Sequence, residues 1–475
     1  MADWVQLDEW RQRRLQPYLD RGLIDGYQPD TADAAFFVRD QLLVAAPDVA
    51  VLGSAIDSFG GVPAADNGIG FPPAPATDGS SGARAGTTSE PPSLRVFTTF
   101  QFPAGTDIVG LSRQLRETQR RADGTPVAVG PNHVAVSFQH RIGWPDGDPS
   151  RTGRAAPSIT GADRSLGRGV RVAVIDTGFP EGRVPTCDWF TTGVEWTARP
   201  GESPHVDAVD AFTGGHPGGD GKLDAEAGHG VFVGGLIRRV APGAELSFIR
   251  VLDSWGMGTE AGVTNGILQA QARGVDIVNL SLGFYALDNV ANSVMVTAIR
   301  QLAASRPGLA VVAAAGNEGV VAPAFPAAFK DVISVGALDA SGKQLRDTSN
   351  RGWWVDAYAP GSDLESAYVN GIEDPLLTLD GVAETFVDEL ASWSGTSFAA
   401  AMVTGAIAAE LSRQRASGCA LTPLIDKLAA SAIGQKLGLV VRHPTAASVA
   451  HALVSTAPRA PGQSGTTLPS ISFAL

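Results

Sequence analysis

The hydrophobic pattern changes character along the chain. From residue 169 onward, short and nearly unbroken apolar runs recur at Val170–Ile175, Leu246–Val251, Ile277–Leu280, Ala310–Ala314 and Val332–Val335. Runs of this length without alternation are strands buried on both faces. Helical patterns fall between them, at 229–240, 259–273 and 291–304. Strand and helix alternating in this way predict an α/β fold, a parallel central sheet covered by helices on both faces. One further stretch, Trp393 to Leu411, opens with the turn Ser394-Gly395-Thr396-Ser397 and then carries no charge until Glu410. A helix so poor in polar side chains is buried nearly all round.

The first 140 residues read differently. Residues 5–22 form an amphipathic helical pattern with Leu7, Trp10, Leu15 and Tyr18 apolar. Phe36–Val44 reads as one long strand or a strand pair, Pro47–Phe59 as a helix and Leu94–Phe102 as a strand. Asp107 caps a helix to about Arg121. Val127–Val129 and Val134–Phe138 read as a hairpin around Gly130-Pro131-Asn132. That order predicts a small α+β domain over 34–140, preceded by an N-terminal helix or extension over 1–33. Within it, about 60–93 is rich in Gly, Pro, Ala, Ser and Thr, a disordered insertion or linker. A second linker covers 141–168, the α/β domain 169–456, and a low-complexity tail 457–475.

Charge narrows the partners. The formal net charge is −13 with no offsetting basic run, so a nucleic-acid or anionic-membrane partner is not expected. No run of about 18 apolar residues is present, so no membrane span is expected. The N-terminus is charged and amphipathic and lacks the basic-then-apolar order of a secretory signal. The two cysteines, Cys187 and Cys419, have neither a CxxC partner nor metal-ligand spacing. Two free thiols, with a single disulfide as the alternative, point to a reducing compartment and a cytoplasmic location.

In an open parallel sheet, ligands bind beyond the carboxyl ends of the strands. Three strand ends carry a polar residue beside glycine: Asp176-Thr177-Gly178, Ser281-Leu282-Gly283 and Gly316-Asn317-Glu318. Ser397 stands where a tight turn enters the buried helix, among unpaired amides that favour negative charge. It is either an N-cap or a nucleophile. A nucleophilic serine needs a base. His229 alone among the seven histidines sits between glycines at the head of an apolar helix. Asp176 can orient that base or cap its own turn. The side-chain amide of Asn317 and the backbone N–H of Ser397 can meet an oxyanion.

Val174-Ile175-Asp176-Thr177-Gly178, Gly228-His229-Gly230, Ala313-Ala314-Ala315-Gly316-Asn317 and Gly395-Thr396-Ser397-Phe398-Ala399-Ala400 resemble, in that order, the signatures of the subtilisin-like serine peptidases. The resemblance covers about 168–456. It implies a serine endopeptidase working through an acyl-enzyme, with Asp176 as orienter, His229 as base and then acid, Ser397 as nucleophile and Asn317 in the oxyanion hole. It further implies that Gly256, Met257 and Gly258, and Ser281, Leu282 and Gly283, pair with the substrate backbone. Ala313, Ala314, Ala315 and Gly316 would wall an uncharged pocket, with Phe284 on its rim and Glu260 near a more distant subsite. The substrate is protein or peptide. No cofactor is expected and no metal ligand is assigned, although a structural cation is compatible with the family. The α+β region looks like a prodomain, an intramolecular inhibitor that keeps the enzyme latent, with processing in the 141–168 linker. Two departures stand out: Ala401 where the family usually has Pro, and Val231 where it usually has Thr. Asp207, Asp210, Asp220 and Asp224 lie in a long insertion and read as a solvated acidic loop. The alternative is an inactive, peptide-binding scaffold of the same fold.

Overall fold

The computed structural model describes residues 15, 18–27, 35–64, 96–137, 148–159, 161–180, 188–197, 207, 212–213, 216–217, 221–289, 293–306, 308–374, 382–417 and 440–441. The 1–14 stretch, most of the 60–93 insertion, Asp210, Asp220, both cysteines and the 457–475 tail lie outside the described residues.

The N-terminal region builds an antiparallel sheet from β1 (Ile24–Tyr27), β2 (Ala35–Ala45), β3 (Val62–Pro63), β4 (Phe97–Gln101) and β5 (Val129–Val136). Two helices, α1 (Val49–Ser58) and α2 (Ile108–Thr118), pack with it. The side chain of Asp107 caps α2 by accepting the Gly110 amide at 2.9 Å, satisfying an N–H that the helix itself cannot. The domain has its own small core, in which Phe37, Leu42, Leu52, Ile56, Phe100 and Leu111 meet. β1 falls within the segment read as an extension, so the sheet begins ahead of residue 34.

The hairpin expected at 127–138 is instead one continuous strand, β5. Pro131 sits in it because the partner strand yields. Asp40 of β2 takes a left-handed conformation, φ 58°. The register with β5 shifts between Phe37 and Leu42. The Asp40 carboxylate then accepts the amides of Gly105 and Thr106, at 3.1 and 3.2 Å. A bulge of this kind costs local strain and needs such anchoring.

The larger domain follows the parallel pattern. Its principal strands are β6 (Arg171–Asp176), β7 (Val194–Glu195), β8 (Glu245–Arg250), β9 (Met257–Thr259), β10 (Ile277–Leu280), β11 (Ala310–Ala314), β12 (Ile333–Leu338), β13 (Ala357–Pro360) and β14 (Val440–Val441), beside several short two- and three-stranded pieces. All but β9 form one sheet in the order β14-β13-β12-β11-β10-β6-β8-β7, parallel throughout except for β14 at the edge. Its helices are α3 (His229–Val240), α4 (Glu260–Arg273), α5 (Ser293–Ser305) and α6 (Thr396–Ser417). Alternation along β8 shows that α3 and α4 lie on opposite faces. Gly234 of α3 abuts Leu246 and Phe248, whereas Gly266 of α4 abuts Ile249 and Ile175. α6 is buried from Thr396 through Ala409, as its composition requires.

β9 does not join the parallel sheet. It pairs antiparallel with β5, Met257 opposite Val136, Gly258 opposite Ala135 and Thr259 opposite Val134. The larger domain thus supplies the last strand of the N-terminal sheet.

Candidate active site

Asp176 is the last residue of β6 and is fully buried. Its Oδ1 accepts the Thr177 amide at 2.7 Å and lies 2.8 Å from Nδ1 of His229. A buried carboxylate without such partners would be strongly disfavoured. His229 begins α3. Gly228, the N-cap, has φ 75°, a left-handed conformation that lets the chain turn sharply into the helix. Gly230 is needed for a different reason. A Cβ there would sit 2.6 Å from the Gly178 carbonyl oxygen, so the strand end and the helix head could not approach. Val231, in place of the family's usual Thr, is fully buried in the core.

The imidazole of His229 is walled by Trp393, edge-on at a centroid distance of 5.4 Å, and Phe398, tilted at 5.4 Å. Ser397 lies in the first turn of α6 and is 2% exposed. It is locked to the end of β10. Ser281 Oγ donates to the Ser397 carbonyl at 2.9 Å, and Ser397 Oγ donates to the Ser281 carbonyl at 3.2 Å. Asn279 accepts from Ser281 Oγ at 2.9 Å and donates to Thr404 Oγ1 at 3.0 Å, tying the strand to the middle of α6.

Asn317 follows β11. Its Oδ1 accepts the Thr396 amide at 2.9 Å, while Thr396 Oγ1 accepts the Gly316 amide at 3.1 Å. With its oxygen so engaged, the amide turns Nδ2 toward Gly395, 3.3 Å from where a Cβ would stand. Asn317, His229, Ser397, Gly395, Trp393, Ser394, Phe398 and Glu226 line one small cavity. Residues from four separate elements are thus brought together: His229, Asn317 and Ser397 line one cavity, and Asp176 holds the far side of the His229 ring.

The segments expected to pair with substrate backbone are hydrogen-bonded to the N-terminal domain. The Val136 amide donates to the Gly283 carbonyl at 2.8 Å, the Gly283 amide to the Val136 carbonyl at 2.9 Å, and the Ser137 amide to the Gly256 carbonyl at 2.9 Å. β5 thus runs between 256–259 and 283, the slot where an added strand would lie. Leu282 and Ala313–Ala315 are buried nearby. Gly316 approaches Asn350, whose side chain donates to the Ala315 carbonyl at 2.9 Å and to Tyr285 Oη at 2.7 Å. Tyr285 donates to Glu318 at 2.7 Å.

The domain contact extends beyond the strand. His133 Nδ1 meets Glu260 Oε2 at 2.7 Å, both fully buried. The Leu287 amide donates to His133 Nε2 at 3.1 Å, so the ring hydrogen sits on Nδ1 and points at the carboxylate. Burial pushes the Glu260 carboxyl above its usual range, and the His133 hydrogen bond opposes this. The ring stacks on Phe284 at 5.1 Å. Tyr18 donates to Asp253, which in turn accepts the amides of Trp255 and Met257. Arg113 and Arg116 of α2 reach Asp288.

Two residues of the acidic insertion are structural. Asp207 accepts Thr177 Oγ1 at 2.8 Å and the Gly228 amide at 2.9 Å, and Asp224 accepts the Ser254 hydroxyl. Neither is a solvated surface charge: they are 3% and 4% exposed. Among the described residues, no group of three or more His, Cys, Asp or Glu is arranged to hold a metal ion, and no helix is long and apolar enough to cross a membrane.

Comparison with known proteins agrees with this geometry. Residues 167–463 match the model of the subtilase family. The chain belongs to the subtilase family. It is a subtilisin-like serine endopeptidase, acting on proteins or peptides. Thermitase of Thermoactinomyces vulgaris is 31% identical over 279 residues, 56% of this chain and 83% of that protein. Subtilisin Savinase of Lederbergia lenta is 31% identical over 249 residues, 48% of this chain and 80% of that one. A thermophilic serine proteinase of Bacillus sp. (strain AK1) is 33% identical over 215 residues, 42% of this chain and 46% of that protein. Among solved structures, fervidolysin of Fervidobacterium pennivorans shares the fold, with TM-score 0.52 at 19% identity, across 80% of this chain and 55% of that one.

Proposed function

We propose that Asp176, His229 and Ser397 form the catalytic triad of this peptidase and that β5 of the N-terminal domain holds it latent. Ser397 Oγ attacks the scissile carbonyl. His229 takes its proton and passes it to the leaving amine. Asp176, on Nδ1, fixes the tautomer and stabilises the imidazolium. The oxyanion meets Asn317 Nδ2 and the amide at the head of α6. The observation that carries this reading is the 2.8 Å contact of His229 with Asp176 beside the Ser397 turn. No redox group or metal enters the proposed mechanism. The Ser397 hydroxyl donates to the Ser281 carbonyl, and it would rotate toward His229 when substrate seats.

Latency rests on the paired backbone of Val136 and Ser137 with Gly283 and Gly256. A substrate strand cannot enter while β5 is there. The antiparallel register sets Val136 opposite Gly283, and Ser281 is bonded to Ser397. Continued by two positions, that register predicts self-cleavage after Phe138, a few residues ahead of the 141–168 linker. A cytoplasmic setting belongs to the same proposal, in keeping with a chain of only two cysteines.

Covalent labelling by a fluorophosphonate probe tests the triad. The wild-type chain, once its N-terminal domain is displaced, is expected to label, and Ser397→Ala is not. Equal labelling of the two would refute the assignment. An inactive scaffold would label in neither.

A further inference from the structure

Glu226 was not singled out by any motif, yet it lines the same cavity as His229, Asn317 and Ser397. Its side chain is fully buried, and its Oε2 lies 4.0 Å from Nε2 of His229. The backbone holds it there from both sides. Its amide donates to the Ser254 carbonyl at 2.9 Å, and its carbonyl accepts the His229 amide at 3.0 Å. The imidazole is therefore bracketed, with Asp176 on Nδ1 at 2.8 Å and a second carboxylate on the side of the nitrogen that must exchange a proton with Ser397 and the leaving amine.

We infer that Glu226 is a positioning residue for His229: its carboxylate stabilises the imidazolium and sets the pH range in which the base works. The inference rests on the triad reading given above. An opposite charge within about 4–6 Å favours the charged form of its neighbour. Exclusion of water strengthens the effect, because the cavity is small and walled by Trp393 and Phe398.

The other groups around His229 do not supply this effect. Trp393 and Phe398 are uncharged. Asn317 and Ser397 are neutral. Asp207 is engaged by Thr177 and by the Gly228 amide. Tyr368 feels the charges of Glu373, Glu226, Asp207 and Asp148, and burial foremost pushes its phenol well above the ordinary value, so it stays neutral. Asp176 acts from the opposite nitrogen.

The sign follows directly. The base form of His229 is required for attack by Ser397. Stabilising the imidazolium keeps the site protonated, and so idle, to a higher pH. When attack does occur, the same carboxylate stabilises the imidazolium that forms.

The test is histidine NMR titration of the full chain carrying Ser397→Ala, which prevents self-cleavage. His229 is assigned by the signal lost in His229→Gln. Glu226→Gln is expected to lower the midpoint of His229 by about one pH unit. Glu226→Asp, which keeps the charge but retracts it by one carbon, is expected to lower it by a few tenths. A midpoint that is unmoved or raised in either folded variant would overturn the inference. A purely structural role would lower thermal stability without moving the midpoint. The readout needs no catalysis, so it stands apart from whether the chain cleaves peptides.

Discussion

The two largest sheets of this protein are completed in different ways. The parallel sheet has largely apolar, buried strands, and the candidate site residues stand at strand and helix ends. The N-terminal sheet is antiparallel, has a small core of its own, and gains its last strand, β9, from the other domain. A sheet that ends in unpaired N–H and C=O groups attracts another strand. Here that edge is β5, which lies between residues 256–259 and 283 of the larger domain. The N-terminal sheet is completed by the hydrogen bonds that join it to the larger domain, and under the proposed latency the same bonds would close the cleft.

The largest expected effect concerns the site alone. In a chain freed of its N-terminal domain, Asp176→Asn is expected to lower kcat by about 10⁴, because the wrong imidazole tautomer would face Ser397. Asn317→Ala is expected to cost about 10²–10³ in kcat with little change in KM, since its donor meets charge formed only in the transition state. Steady-state kinetics on a peptide substrate decides both. Losses confined to KM would place these residues in binding rather than in catalysis.

A smaller effect sharpens the contrast between the regions. Asp288, which ties the larger domain to α2, is held below the usual carboxylate range, chiefly by its hydrogen bond to Arg113 and by the charges of Arg113 and Arg116, against some desolvation. A depressed carboxylate contributes stability that is present above its ordinary value of 3.8 and is lost as pH falls through its value in the folded protein. The domain contact should therefore loosen below about pH 4. In the full chain carrying Ser397→Ala, the protection of the β5 amides against hydrogen exchange is expected to fall there. Asp288→Asn should lower that protection about two- to five-fold at neutral pH and flatten the dependence, a modest change because the pair is partly exposed. Protection that is the same in both proteins at every pH would remove this ion pair from the domain contact.

Much of the core was legible because burial writes itself into composition. The unbroken runs at Val172–Ile175 and Ile277–Leu280 are strands, and the uncharged stretch from Thr396 is a buried helix. The four candidate site residues stand out in the sequence because each lies within two positions of a glycine at an element end. The misread hairpin at Gly130-Pro131-Asn132 shows the limit. Proline and asparagine are turn residues by local chemistry, and only a bulge in β2 and a partner more than a hundred residues away make them a strand. Glu226 is not legible in the sequence because its surroundings, Asp224-Ala225-Glu226-Ala227, look like solvated loop. It is buried in a cavity whose other walls include Trp393 and Phe398, far along the chain. The acidic insertion was misjudged for the same reason. Asp207 and Asp224 turn inward to satisfy amides and hydroxyls at the heads of loops that sequence alone does not bring together.

Mass spectrometry of the purified full chain, incubated alone, addresses the central claim that β5 occupies the catalytic cleft in substrate register. Wild-type protein is expected to yield a fragment beginning at Gln139, while Ser397→Ala remains intact under the same conditions. Fragmentation of Ser397→Ala at the same bond, or cleavage of wild type only at positions unrelated to residue 138, would contradict the account.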